Sequence, residues 1–105
     1  MKIAITSTGN SNDSLLDQRF GRCAYFVIYD TETKSTEYIP NPNKDKQEGV
    51  GPAAVQLVSS RKVQKIISGE FGIKIKEQLD SLKIQMIIYK DSNVKISKLI
   101  EMISI

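Results

Sequence analysis

The amino-acid sequence predicts an α/β domain built on a mixed five-stranded sheet with helices on both faces, in the order β-β-β-α-β-α-β-α. The length of 105 residues suits a single domain spanning 1–105. Segments rich in β-branched and aromatic residues recur along the chain and predict strands. In the second half they alternate with segments whose apolar residues are spaced three or four positions apart, which predicts helices packed on the sheet.

The first half of the chain predicts three consecutive strands. "KIAITS" (2–7) is a short isoleucine-rich strand, followed by a loop of Gly, Asn and Ser. "AYFVIYD" (24–30) is nearly continuous in β-formers, which is typical of a strand covered on both faces. "TETK" (31–34) predicts a hairpin turn, and "STEYI" (35–39) a more polar outer strand. The Pro-, Asn- and Lys-rich stretch 40–51 is expected to be the longest loop.

The second half predicts strand–helix alternation. Pro52 can open the first helix, because its missing N–H costs nothing there. "KIIS" (65–68) and "IQMIIY" (84–89) are the remaining strands, and Ser92 or Asn93 is expected to cap the last helix. Right-handed crossovers place the first, fourth and fifth strands parallel. Aligned apolar positions give the buried helix faces: Ala54, Leu57 and Val58; Ile75, Leu79 and Leu82; and Ile96, Leu99, Ile100 and Ile103.

Composition limits the classes of partner. The 15 basic residues nearly match the 12 acidic ones, so a net charge of +3 makes nucleic acid an unlikely partner. A single cysteine allows no internal disulfide and predicts a cytoplasmic protein. The apolar run at the start is too short for a signal peptide or a membrane span, so no membrane partner is expected. A monomer or a weak homodimer is expected.

A ligand site is predicted at one edge of the sheet, because ligands gather outside the carboxyl ends of parallel strands. The loops 8–22, 69–72 and 90–93 leave such ends, and the turn 48–52 enters the same region. Glycines lie in these loops, and glycine ahead of a helix lets a ligand reach unpaired N–H groups at the positive end of the helix dipole. The alternative is that the glycines serve only tight turns. The candidates are Gly9 with Asn10, Gly49 with Gly51, and Gly69 with Gly72.

Two arginines and the only cysteine border the same edge. Arg19 and Arg22 flank Phe20 and Gly21, and a sharp turn at Gly21 would aim both guanidinium groups at one pocket. The alternatives are solvated arginines and, for Phe20, a core plug or pocket wall. Cys23 is either a small buried core residue or, with Arg22 favouring thiolate, a soft-metal ligand. One thiol and no histidine cannot build a closed zinc or iron–sulfur site, so any metal centre must arrive preassembled or be shared between subunits.

The segments "RFGRCAYF", "NPN", "GVGPAAVQL" and "SGEFG" together resemble the dinitrogenase iron–molybdenum cofactor biosynthesis family, which includes NifX, a domain of NafY, the C-terminal part of many NifB proteins and the orange proteins. The resemblance covers nearly the whole chain and implies a ribonuclease H-like fold. It also implies a non-enzymatic carrier of a preassembled Fe–Mo–S or Mo–Cu–S cluster, with cluster donor and acceptor proteins as partners. Arg19 and Glu48 stand where other members commonly have histidine, so the resemblance implies an electrostatic cradle, from which Glu48 and Glu70 must point away.

Three other functions fit parts of the pattern. A nuclease would need clustered carboxylates that hold two metals, and the first strand has none. A small-anion or nucleotide-binding regulatory module would use the same glycine turns and arginines. A plain interaction domain would leave the pocket without a ligand. The carrier is the favoured hypothesis.

Overall fold

The computed structural model describes residues 1–104 and has the predicted order of elements. Each strand begins and ends within one residue of its predicted limits, because runs of β-formers define strands sharply. The strands are β1 (Lys2–Ser7), β2 (Tyr25–Asp30), β3 (Thr36–Pro40), β4 (Lys65–Ser68) and β5 (Gln85–Ile88), and the helices are α1 (Val50–Ser60), α2 (Ile73–Ser81) and α3 (Ile96–Ile103).

The five strands form one sheet in the order β3-β2-β1-β4-β5. β1 pairs antiparallel with β2 and parallel with β4, and β4 pairs parallel with β5. The predicted parallel set is therefore confirmed. β3 is antiparallel to β2 and so runs in the same direction as β1. Four strands thus end at the same edge of the sheet, and the loops that follow them meet there.

The sheet is covered on both faces, as predicted, because successive side chains of a strand point to opposite sides. Ala4 belongs to the cluster that buries α1 and α2 against one face. Its neighbours Ile3 and Ile5 belong to the cluster on the other face, together with Leu16 and the apolar side of α3. The α/β architecture with a mixed sheet and helices on both faces is confirmed.

The three helices are 11, 9 and 8 residues long. In the part of the chain that the structure describes, no helix is long and apolar enough to cross a membrane. Their predicted apolar faces pack on the sheet with one exception. Leu82 lies just beyond the last residue of α2 and is 50% exposed, so Ile75 and Leu79 alone anchor that helix.

The start of α3 differs from the prediction. Neither Ser92 nor Asn93 caps the helix, since its N-cap is Lys95 and no side chain bonds to its first turn. Instead the N–H of Ile96 donates to the carbonyl of Ser14 at 2.9 Å. The loop after β1 therefore supplies main-chain caps to α3, a long-range contact that local sequence rules do not contain.

Candidate anion-binding site

The edge where the strands end holds an open pocket of about 290 Å³. It lies between the loop before β2, the start of α1 and the segment from β4 into α2. Six of the eleven predicted site residues line it, together with Val50, Glu70 and Ile75. The six are Arg19, Phe20, Gly21, Arg22, Gly51 and Gly72.

The starts of α1 and α2 both border this pocket. α1 begins at Val50, two residues before the predicted Pro52, and because proline has no N–H the amide donors of its first turn are those of Val50 and Gly51. The N-cap of α1 is Gly49 and that of α2 is Gly72, and neither helix has a side-chain cap or an acidic residue in its first turn. The first N–H groups of a helix have no partner within the helix, and they lie at the positive end of its dipole. Two such ends at one pocket are suited to a negatively charged ligand.

Small residues bring the walls of the pocket together. A Cβ on Gly21 would lie 3.1 Å from the main-chain nitrogen of Gly51, so the loop before β2 packs directly on the start of α1. A Cβ on Gly51 would lie 2.6 Å from Cδ1 of Ile75, so α1 in turn packs closely on α2. Glycine at both positions permits the convergence of the loop and the two helix starts.

Arg19 is oriented by Asp17, a residue for which sequence reasoning found no role. The Asp17 side chain is 7% exposed. Its Oδ1 accepts a hydrogen bond from the main-chain N–H of Arg19 at 2.9 Å and another from Nε at 3.3 Å. The rest of the guanidinium remains available at the pocket, with the side chain 59% exposed. An aspartate two residues before the arginine, typical of an Asx turn, was the available signal.

Arg22 also lines the pocket, but most of its donors face a neighbouring loop. Nη1 donates to the carbonyls of Lys44 at 3.0 Å and Lys46 at 2.9 Å, and Nη2 donates to that of Gln47 at 3.4 Å. The two arginines therefore have different hydrogen-bond partners, although the sequence predicted the same role for both.

Asn41 is a second residue that sequence reasoning did not place at the site. It directly follows β3 and is 5% exposed. Its Nδ2 donates to the carbonyls of Gly21 and Cys23, each at 3.0 Å, and its Oδ1 accepts from the N–H of Asn43 at 3.1 Å. The amide fixes the turn that carries the pocket residues. Its position in "NPN" marks it only as a turn residue.

Phe20 forms the floor of the pocket and is 3% exposed. Its ring lies 5.9 Å from that of Phe26 in an edge-on arrangement and 5.4 Å from that of Phe71. This aromatic group joins the pocket to the core on the face of α1 and α2, in keeping with a core plug that is also a pocket wall.

Cys23 is fully buried in the same core and does not line the pocket. Burial raises the pKa of its thiol far above the ordinary value, and the charge of Asp17 raises it further. The interpretation of Cys23 as a thiolate favoured by Arg22 is therefore wrong, and its place is that of a small core residue. Within residues 1–104, no three His, Cys, Asp or Glu side chains come together to hold a metal ion.

Gly9 and Asn10 lie away from the pocket walls. Gly9 is part of a tight turn in which the Ser7 hydroxyl donates to its carbonyl at 2.7 Å, and Asn10 is exposed. The loop then runs to the face of α3, where Leu16 is buried. The strand order indicates that Gly9 and Asn10 lie at this edge of the sheet, but it does not indicate that their loop turns toward the face of α3 and away from the pocket.

Gly49 and Gly69 shape the site without lining it. Gly49 has φ 78°, a left-handed conformation that glycine adopts without strain, and this turns the chain into α1. Gly69 is buried, and a Cβ there would lie 2.5 Å from Cα of Gln18. Its lack of a side chain lets the segment that follows β4 pass directly beside the one that carries Arg19.

One acidic residue lies at the pocket. Glu70 is among the lining residues and Glu48 is not. The lining residues Arg19 and Arg22 carry two positive charges and Glu70 one negative charge, a balance of +1. Asp17 beside Arg19 offsets even that. The attraction for anions therefore depends strongly on the helix starts.

Comparisons with known proteins agree with this architecture. A family model described as "Dinitrogenase iron-molybdenum cofactor" matches residues 1–104. The structure of the apo form of the orange protein from Desulfovibrio gigas superposes with a TM-score of 0.89 at 27% identity, over 97% of this chain and 85% of that one. The NMR structure of a candidate NifB protein from Thermotoga gives a TM-score of 0.82 at 30% identity, over 98% and 86% of the two chains. A comparison with curated proteins gives no significant match. The chain belongs to the dinitrogenase iron–molybdenum cofactor family.

Proposed function

We propose that this protein binds and carries an anionic metal–sulfur cluster as cargo, without transforming it chemically. The observation that carries the proposal is the meeting of two uncapped helix starts and Arg19 at one open pocket. Membership of the family supports the same class of cargo.

The donors at the pocket suit a preassembled cluster. Main-chain N–H and guanidinium groups donate hydrogen bonds to sulfide or oxide atoms at the edge of a cluster, and their positive ends offset its charge. The chain has no histidine, and its single thiol is buried beneath the floor. Binding therefore uses electrostatics and hydrogen bonds, which leaves the metals of either an Fe–Mo–S or a Mo–Cu–S cluster free of protein ligands.

The size of the pocket suits transfer. A volume of about 290 Å³ is near the lower end for ligand pockets, and the pocket is open to solvent. A cluster held there keeps one side accessible, so that a donor protein can deliver it and an acceptor protein can remove it. Such donor and acceptor proteins are the proposed partners.

The test is binding under anaerobic conditions. The protein is mixed with tetrathiomolybdate and copper(I), and separately with iron–molybdenum cofactor, and then desalted. Retained metal and a stable visible spectrum in the protein fraction are expected for at least one of them. Loss of both cargos on desalting would refute the carrier function.

A matched pair of arginine variants links binding to the pocket. Arg19→Gln is expected to weaken binding by about tenfold or more, since a hydrogen bond to a charged group contributes on the order of 1.5–3 kcal/mol. Arg61→Gln is the control, because Arg61 is the C-cap of α1, at the end away from the pocket, and pairs there with Glu37 at 3.2 Å. Equal loss in both variants would mean nonspecific attraction.

A small-anion or nucleotide-binding module is the second candidate. The observation that favours it is the purely N–H character of the donors, which serve phosphate oxygens as well as sulfides. Thermal shift measurements with phosphate, ATP and tetrathiomolybdate separate the two, because a tighter ligand raises the melting temperature more at equal concentration. A larger shift with ATP than with tetrathiomolybdate would favour the second candidate.

A further inference from the structure

We infer that Arg22 is a positioning residue that couples occupancy of the pocket to the order of residues 44–47, called here the 44–47 loop. The inference rests on the proposed function, since the occupant, or guest, is the cluster. It adds a means by which a partner distinguishes the loaded protein from the empty one.

The donors of Arg22 suffice for both contacts at once. A guanidinium has five N–H donors in a rigid plane. Three hydrogen bonds run to the carbonyls of Lys44, Lys46 and Gln47. This leaves Nε–H and one N–H of Nη2 in a residue that also lines the pocket. A guest that accepts a bond from these donors fixes the same plane that holds the loop.

The 44–47 loop depends on Arg22 for its attachment. Its other polar contacts are local: the N–H of Lys46 donates to the carbonyl of Asn43 at 3.1 Å, and Lys44 pairs with Asp45 at 3.1 Å. Among the residues that the structure describes, Arg22 makes every hydrogen bond between this loop and chain outside 41–49. All four loop residues are exposed.

Coupling follows from this arrangement. An empty pocket leaves the guanidinium held by the loop carbonyls alone, and the loop opens whenever those three bonds break together. A bound guest holds the guanidinium in place and so favours the closed state of the 44–47 loop, in which its three hydrogen bonds to Arg22 are formed. Because the coupling of two binding equilibria is reciprocal, the closed loop must also raise the affinity of the pocket for the guest. The exposed Lys44 and Lys46 then present a more ordered surface when the pocket is full.

Proteolysis measures the order of this loop directly. An endoproteinase specific for lysine cleaves after Lys44 and Lys46, and mass spectrometry follows both sites with and without saturating tetrathiomolybdate under anaerobic conditions. Binding is measured separately by equilibrium dialysis. In the unsubstituted protein, saturation is expected to slow cleavage by about tenfold, the order of one hydrogen bond to a charged group.

Two variants separate coupling from simple support. Arg22→Gln is expected to be cleaved rapidly at both sites, and at the same rate with and without bound guest. Arg22→Lys keeps the charge but loses the planar fork, and serves in the same way if the first variant does not fold. Arg19→Gln, a pocket variant without a loop contact, is expected to need more guest but to reach full protection at saturation.

The outcomes are distinct. If tetrathiomolybdate binds but leaves cleavage unchanged, the coupling is refuted, while the carrier function is decided separately by retention of the cluster after desalting. If saturated Arg22→Gln is protected by the same factor as the unsubstituted protein, Arg22 only supports the loop, and the coupling is again refuted. If tetrathiomolybdate does not bind at all, the coupling to this guest fails together with its binding, which dialysis shows independently.

Discussion

The two glycines of "GEFG" provide a sharp test of how the site is built, because they have different surroundings. A Cβ on Gly69 would lie 2.5 Å from Cα of Gln18, whereas real Cβ contacts under 3.0 Å essentially never occur. A Cβ on Gly72 would meet only Cγ1 of Ile75, at 3.9 Å. Gly69→Ala must therefore displace the main chain, while Gly72→Ala fits.

The expected difference in stability follows from these distances. Overpacking costs about 1–3 kcal/mol, and replacing glycine where the conformation permits gains about 0.4–1 kcal/mol from the unfolded chain. Gly69→Ala should therefore lower the free energy of unfolding by about 2 kcal/mol. Gly72→Ala should change it by less than about 1 kcal/mol, because the gain from the unfolded chain is offset by the poorer preference of alanine for the N-cap position. For a domain of this size, about 2 kcal/mol corresponds to a melting temperature lower by roughly 10 °C.

Thermal and urea unfolding followed by far-ultraviolet circular dichroism measure both variants beside the unsubstituted protein. Gly69→Ala should also bind tetrathiomolybdate more weakly, since Arg19 directly follows the displaced Gln18. Equal melting temperatures for the two variants would refute the close approach of the two segments.

Three further changes test other parts of the site. Cys23 should resist iodoacetamide at pH 8 in the folded protein and react in urea, because its raised pKa and burial keep the thiol neutral and covered; rapid labelling of the folded protein would contradict its core position. Asn41→Ala should lower the free energy of unfolding in urea by about 1–3 kcal/mol, because the carbonyls of Gly21 and Cys23 lose their donor; an unchanged free energy of unfolding would show that these two hydrogen bonds do not stabilise the turn. Glu70→Gln should raise the affinity for tetrathiomolybdate in equilibrium dialysis about fivefold, equivalent to about 1 kcal/mol of repulsion removed in high-dielectric surroundings; Glu77→Gln, an exposed site on α2, is the control, and the same gain there would show a general charge effect.

The fold was predictable because its signals are local and cumulative. Runs of β-formers define the strands, apolar spacing defines the helix faces, and the handedness of crossovers then orders the sheet. The edge that holds the pocket followed from the same topology.

The details of the site depended on contacts between distant parts of the chain. Arg22 bonds to carbonyls 22–25 residues away, and the Asn41 amide reaches back 18–20 residues. Every residue has a main-chain carbonyl, so the identity of a residue does not indicate which carbonyl will accept such a bond. The burial of Cys23 and the position of Glu70 at the pocket likewise depend on side-chain directions, which sequence order leaves open.

The uncapped starts of α1 and α2 have a consequence for how such a protein diversifies. Every residue except proline has a main-chain N–H, so most substitutions at these helix starts leave the hydrogen-bond donors in place. The positions that matter most are then those where a side chain would not fit, such as Gly21 and Gly51. Two solved structures that share only 27–30% of their residues with this chain have a closely similar backbone geometry.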